Sequence, residues 1–449
     1  MDDYYLKSNK TESFQKMKDE FILTESKPGF FYGWYIVMGL ATVSMVSVGM
    51  GGMNLGLFVH PMNEELGINH AYFGLSQTAR MIGFSMSSWF IGKILDQHGA
   101  RVPMAIAAAL MGLIMVGLSR LQTGWHLVAL IFMSGMIGLE GGGGNLYQSV
   151  PLSRWFIKKR GKAMSISFLG TTAGIFLFTP LLQYTITYIN WRFAWIAIGC
   201  GSCLVIFIIA IAVVRKDPYS MGMKPDGEVG IEEEKNIFDI DDVNMQDEYS
   251  WTRSQALRSL SFWSLIIVLG LRMLSMSTLN IFRIPFYMDR GISPMHVAWA
   301  VSAEAIISAI IAIPTGWAMD RFQPRYIAST SLIVFILVFI VTINVRTTVD
   351  VYIATSLFGI SAASFMVAHN ALWPAYFGGM HIGSIRGIAV PFTMLFGAIG
   401  APITGYVKDT TGSYINAWKA SIVFLTVATV VMLLNPKPSS PIDNEEQSI

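Results

Sequence analysis

Charge and cysteine are what this sequence has least of. Of 449 residues, 13% are charged and two are cysteine. Soluble proteins carry roughly a quarter charged residues. With 53% hydrophobic residues and a mean hydropathy of +0.51, the chain cannot cover a globular surface with polar groups, which argues against a soluble enzyme. Disorder is excluded as well, because it needs low hydrophobicity and high net charge. A formal net charge of +2 gives no reason to expect nucleic acid as a partner. The cysteines, Cys200 and Cys203, form a CxxC inside an apolar run with no histidine or second pair nearby. They read as small packing residues rather than a redox or metal site. No metal-spaced cluster and no cofactor motif is present.

What remains is a polytopic membrane protein. A spanning helix needs about 20 mostly apolar residues. Qualifying runs lie near 34–59, 72–92, 102–121, 126–149, 162–184 and 192–214, and again near 261–286, 295–318, 326–345, 350–374, 384–407 and 416–434. We number them spans 1 to 12. Between the sixes, residues 215–258 carry eleven acids and the turn signal Lys224-Pro225-Asp226-Gly227, and read as a solvated, mobile linker. Residues 1–29 are polar, with no apolar core beside a small-residue cleavage site. They read as a cytoplasmic tail, with span 1 as an uncleaved anchor.

The halves repeat. Pro61 and Pro285, Gly67 and Gly291, Ile68 and Ile292, Gly92 and Gly316, Asp96 and Asp320, and Arg101 and Arg325 all stand 224 residues apart. The expected fold is therefore all-α and polytopic, with twelve transmembrane helices in two pseudo-symmetric six-helix bundles. The divisions are 1–29 tail, 30–214 first bundle, 215–258 linker, 259–435 second bundle and 436–449 tail. Parallel repeats place a substrate site near the midplane, between the bundles. With both termini inside, the short cytoplasmic loops hold ten Lys/Arg and the opposite loops six. That bias favours a cytoplasmic N- and C-terminus.

Gly92-Lys-Ile-Leu-Asp96-Gln-His-Gly99-Ala-Arg101 resembles the loop between helices 2 and 3 of the major facilitator superfamily, whose pattern is G-x-x-x-D-x-x-G-x-R. The second half carries Gly316, Asp320 and Arg325 in the same register, with Gln323 in place of the second glycine, so its turn is expected to be built differently. Other segments narrow the resemblance. They are Phe31-Tyr32-Gly33-Trp34, the Trp155–Gly161 segment, Asp217-Pro218 with Pro225-Asp226-Gly227, and Asp409-Thr-Thr-Gly412-Ser413-Tyr414. Together they are similar to the monocarboxylate and oxalate:formate branch. The resemblance implies a small organic anion moved with protons or by exchange, a functional monomer in the plasma (inner) membrane, and a gating role for the loop motif. In this reading Asp96 and Arg101 bond to each other and to helix ends. A fixed loop staple is the alternative.

Ionisable residues inside spans cost at least ~2.5 kcal/mol each at the bilayer centre and mark function or pairing. Arg272 in span 7 is the first choice for gripping an anion, since its fork suits a carboxylate. A permanent bridge to Glu140 or another acid is the alternative. On a continuous helix Arg283 falls on the same face about 16 Å further along, near enough to the end to snorkel. Asn280 lies beside that face. Glu140 precedes four glycines in span 4, with Asn145 and Tyr147 beyond; it is a substrate-site candidate or a structural counter-ion. Arg80 and Glu304 are again 224 apart. They read either as static, locally paired charges or, for Glu304, as a proton-coupling group. Relatives of this branch often carry an Asp and an Arg together in helix 8. Here span 8 has Glu304 and no arginine, so the anion ligand is expected elsewhere, at Arg272. His369 lies on one face of span 10 with Phe365, Trp373 and Tyr376. That face is either a packed aromatic seam or a cavity wall in which His369 exchanges protons near neutral pH. The resemblance implies that spans 1, 4, 7 and 10 line the cavity. Span 1 supplies Asn54. Glu304, Glu140 and His369 are thus the proton-coupling candidates.

Competing readings are a carrier of drugs or neutral solutes, and a membrane metabolite sensor without flux. The first predicts no need for Arg272. The second needs a structured cytoplasmic domain that the linker is too short to supply.

Overall fold

The protein is described by a computed structural model. It places residues 31–50, 54–139, 146–157, 159–221, 223–227, 251–378, 382–435 and 438. Among the described residues, ten helices are long and apolar enough to cross a membrane, with Gly33–Leu66 taken as one. Leu113, Trp125, Leu204, Ile310 and Val423 are each 60% or more exposed, an outward face that only lipid can cover.

The first bundle comprises α1 Gly33–Ser47, α2 Leu55–Leu66, α3 His70–His98, α4 Arg101–Ser119, α5 Gly124–Ile137, α6 Leu146–Trp155, α7 Arg160–Tyr188 and α8 Trp191–Ala212, which is π-helical over Trp195–Cys200. Together α1 and α2 form span 1, and α5 and α6 form span 4. The second bundle follows a short α9, Arg253–Arg258. It comprises α10 Leu260–Asn280, α11 Arg283–Asp289, α12 Pro294–Arg321, α13 Pro324–Ile343, α14 Thr348–Phe377, α15 Ile382–Thr411 and α16 Ile415–Leu434. Span 7 is α10 plus α11.

Local chemistry sets these boundaries. The side chains of Thr123, Asn190, Ser259 and Thr347 accept backbone N–H bonds at helix starts, each satisfying an otherwise orphaned donor. Pro294 and Pro324 open α12 and α13, where a missing N–H costs nothing. The repeat is visible in the backbone. Gly67 and Gly291 both turn left-handed, at φ 63° and 81°. As expected from the sequence, the loop motif differs between halves: Gly99 has φ 76° while Gln323 has φ −61°.

The linker departs from the solvated reading at both ends. Asp226 is 8% exposed, and its carboxylate accepts from the N–H groups of Ile157 (2.8 Å) and Lys159 (3.1 Å). Trp251 donates its N–H to the Phe377 carbonyl at 2.9 Å. Two charge-assisted bonds outweigh solvation of a short acidic loop end. Residues 228–250 lie outside the described residues. The cysteines are free; Cys203 packs its sulfur against Met50 at 3.5 Å.

The bundles meet through α3 with α15, α7 with α12 and α2 with α11. Their bonds run from mid-molecule to the side opposite the linker, the far side. There Asp409 accepts from the backbone N–H groups of His70 (3.0 Å) and Ala71 (2.9 Å), capping α3 from the other bundle. The His70 ring lies 2.9 Å from the same carboxylate. Tyr414 packs edge-on to that ring; burial, and the nearby Asp289 and Asp409, push its phenol pKa up. Deeper in, the Thr78 hydroxyl donates to the Ala398 carbonyl, and that of Ser302 to the Phe176 carbonyl at 3.2 Å. A Cβ added at Gly74 would strike the backbone of Ala401, and one at Gly405 the backbone of His70 and Ala71. At Gly92, Gly316 and Gly387, on the linker half, it would meet nothing within 4 Å.

Candidate functional site

Among the described residues, spans 4 and 7 are interrupted at mid-length. In span 1 the 3-10 turn Val48–Met50 follows α1, and α2 begins at Leu55; residues 51–53 lie outside the described residues. Span 4 stops at Gly138, φ 71°, and resumes at Leu146. Span 7 breaks between Asn280 and Arg283. Discontinuous helices at membrane depth are tolerated only where backbone is buried in protein or lines a cavity, and they commonly mark substrate sites. Glu140 and Asn145 lie outside the described residues. Asn54 immediately precedes α2. It is 2% exposed, accepts from the Thr179 hydroxyl at 3.1 Å and so ties span 1 to α7. Asn280 is half-buried at the end of α10.

Arg272 points into the second bundle. It is 3% exposed. Its guanidinium carbon lies 3.7 Å from the Phe335 ring centroid and 5.0 Å from that of Phe365. One Nη sits 3.5 Å from the Met276 sulfur, and Nε has no hydrogen-bond partner. Among the described residues no carboxylate reaches it. Aromatic faces attract a cation, yet they supply no acceptor oxygens. The arrangement is a buried, permanently charged fork with an open demand for an anion.

The second cation behaves differently. Snorkelling of Arg283 is overturned: the residue is 4% exposed, and its two Nη atoms donate to Glu304 at 2.6 and 3.1 Å. The cause is the helix break. Because α11 restarts at Arg283, the residue leaves the Arg272 face and turns toward α12, where a bidentate carboxylate repays its desolvation. Phe358 stacks on it, 4.1 Å from centroid to guanidinium carbon. The local partner of Glu304 is therefore Arg283. Arg80 is half-buried on α3, where Gly135 lets α5 close onto its backbone. The sequence reading missed Phe335 and Phe358. These two rings pack 5.8 Å apart and join the arginine sites into one column.

The span 10 stripe is a packed seam. Phe365 stacks on His369 at 10°, the Trp373 indole N–H donates to His369 Nε2 at 3.4 Å, and the Tyr376 hydroxyl donates to the Asn435 carbonyl at 2.7 Å. His369 continues the column from Phe365, while Trp373, 2% exposed, packs against Phe262 as core. Tyr147 is 5% exposed and lines an apolar groove between α3, α4 and α5.

In the loop motif, Asp96 is engaged by Arg154 rather than Arg101. The Arg154 Nη2 lies 3.6 Å from the Asp96 carboxylate and donates to its backbone carbonyl at 2.8 Å. The pair Asp96–Arg101 is thus not formed, because Arg154, at the end of α6, reaches the α3 terminus first. Arg325 stacks on Tyr326 and donates to its hydroxyl at 2.9 Å. A Cβ added at Gly316 would meet nothing within 4 Å. Asp320 lies near the end of α12.

Two helical bundles, a span broken at mid-length and charges buried inside the second bundle are the features of a membrane transporter. The sequence agrees: residues 41–290 and 265–448 match the family described as Major Facilitator Superfamily. The chain belongs to that superfamily. It is 23% identical over 368 residues to monocarboxylate transporter 13 of Bos taurus, covering 78% of this chain and 80% of that one. To monocarboxylate transporter 11 of Mus musculus it is 20% identical over 437 residues, covering 90% and 88%. Among solved structures, the nucleoside transporter NupG superposes with a TM-score of 0.71 at 13% identity, over 90% of this chain and 100% of that one. A bacterial homologue of the human lysosomal transporter Spinster, described as inward-facing and occupied, gives 0.68 at 15% identity over 92% and 100%.

Proposed function

We propose that this transporter moves a small organic anion of the monocarboxylate type by alternating access, as a monomer in the plasma (inner) membrane with both termini cytoplasmic. The observation that carries the reading is Arg272: 3% exposed, its Nε without an acceptor, and without a carboxylate among the described residues. A charge held at such cost needs a partner that arrives from outside. A substrate carboxylate supplies two acceptor oxygens in the geometry a guanidinium fork requires. His369, next along the column, and Asn280, at the helix break, supply further polar groups. The monocarboxylate transporters among its relatives support the same class.

Arg283 and Glu304 are the coupling pair in this account. Protonation of Glu304 discharges the ion pair and frees Arg283. A proton then changes which residues the second bundle holds together, which is how a bound species biases two states. Span 8 lacks the arginine that the branch often has there, and Arg283 from α11 takes its place beside the acid. With the linker side cytoplasmic, the far-side contacts make this the inward-facing state.

The test is uptake of labelled acetate, lactate, pyruvate and oxalate into proteoliposomes under an imposed pH gradient. Saturable uptake that disappears in Arg272→Gln supports the reading. In Glu304→Gln, exchange of internal for external anion should persist while stimulation by the gradient is lost. Wild-type uptake of neutral solutes, with the whole anion panel refused, would overturn it.

A further inference from the structure

The linker-side half of α4 is flanked by two apolar grooves. One, of about 550 Å³, runs between α4, α3 and α5; the other, of about 480 Å³, runs between α4 and α8. Val102, Ile106 and Leu110 line both. They recur every fourth residue, so they form a single ridge along α4. Val102 is 59%, Ile106 56% and Leu110 48% exposed, which places ridge and grooves on the membrane face. The ridge is about 12 Å long by helical rise, a fair part of one leaflet.

At the linker-side mouth the charge is basic. Arg101 opens α4 and lines the second groove; His98 lines the first. Lys216 lies over the turn between α3 and α4, where a Cβ added to Gly99 would meet its Cγ at 2.8 Å. Among the described residues neither the Arg101 nor the Lys216 side chain makes a hydrogen bond or ion pair, and both residues are exposed. Two acids lie nearby. Asp96 is engaged by Arg154, and Asp217, which follows Lys216, has an interaction of its own.

We propose that this is a binding site for an anionic phospholipid of the linker-side leaflet, with one acyl chain in each groove, astride the Val102–Leu110 ridge, and the headgroup phosphate on Arg101 and Lys216. The two-groove shape calls for a two-chain molecule, and the basic mouth calls for net negative charge, as basic pockets at helix ends do for anionic headgroups. This site is separate from the Arg272 column and does not depend on which substrate is carried.

The experiment is lipid competition on the purified, delipidated full-length transporter, read by native mass spectrometry. Dioleoyl phosphatidylglycerol is compared with dioleoyl phosphatidylcholine. Each surface cation is worth about fivefold in affinity for an anionic lipid. Wild type should therefore prefer the glycerol lipid by about twenty-five-fold, Arg101→Gln by about fivefold, and Arg101→Gln with Lys216→Gln not at all. Ala109→Trp fills the second groove from the lipid face and leaves both cations in place; it should lose the tightly held lipid. Equal retention of the two lipids by wild type would overturn the proposal. So would an unchanged preference in the double variant. Full displacement of the lipid by glycerol phosphate would show a headgroup site without seats for the chains, and would overturn it as well.

Discussion

Breaking the Arg283–Glu304 pair should destabilise the second bundle more than any other single polar change. The two N···O distances are 2.6 and 3.1 Å, and the side chains are 5% and 13% exposed. With charge centres about 4 Å apart and an effective dielectric of about 20, the attraction is about 4 kcal/mol. Removing one partner also strands the other charge without water, for a total cost of about 3–5 kcal/mol. We therefore expect Arg283→Met and Glu304→Gln each to lose about that much, and the double variant to lose far less than their sum. The coupling energy from the cycle should be about 3 kcal/mol. Equilibrium unfolding in mixed micelles by dodecyl sulfate titration can report it, using the fluorescence of the 12 tryptophans. A coupling energy below about 1 kcal/mol, the range of exposed pairs, would refute the buried-pair argument and with it the coupling role given to Glu304.

Four further outcomes follow from the same structure. Arg272→Met should leave unfolding stability unchanged or raise it, because it removes a buried charge without a protein acceptor, while abolishing anion uptake; a loss of several kcal/mol would mean that Arg272 is a structural counter-ion. Asp409→Ala removes the cap on α3 and should cost about 1 kcal/mol of far-side closure, seen as a longer distance between spin labels at Gln122 and Thr410. Gly74→Val places side-chain atoms against the Ala401 backbone and should disfavour the same closed state by about 1–3 kcal/mol, trapping the far side open in that spin-label measurement. Asp226→Ala deletes bonds to Ile157 and Lys159 and should cost about 1–3 kcal/mol in the micelle titration, without altering substrate selectivity.

The architecture was legible because hydropathy and repetition are properties of sequence. Twelve apolar runs and one constant offset pointed to the two bundles, and a broken glycine pattern pointed to the different second loop at Gln323. The charge pairings were less legible. Placing Arg283 on the Arg272 face assumed an unbroken span 7, and the break after Asn280 depends on how α11 packs against α2 and α12. Asp96 was paired with Arg101 because the two stand at the facing ends of spans 2 and 3 in a loop that resembles the family's, yet Arg154 from α6 reaches it through the fold. The aromatic sleeve of Arg272 draws Phe335 from span 9 and Phe365 from span 10. No local spacing connects those residues to position 272. Glu140 and Asn145 stay as the sequence left them, because they lie outside the described residues.

The central claim is that Arg272 recognises a carboxylate. Its most direct test is competition binding of lactate and pyruvate against their neutral amides, lactamide and pyruvamide, on purified wild type and Arg272→Gln. The account predicts that wild type binds the acids and discriminates strongly against the amides, and that Arg272→Gln binds acid and amide equally weakly. Acid-over-amide discrimination that survives in the variant would contradict it.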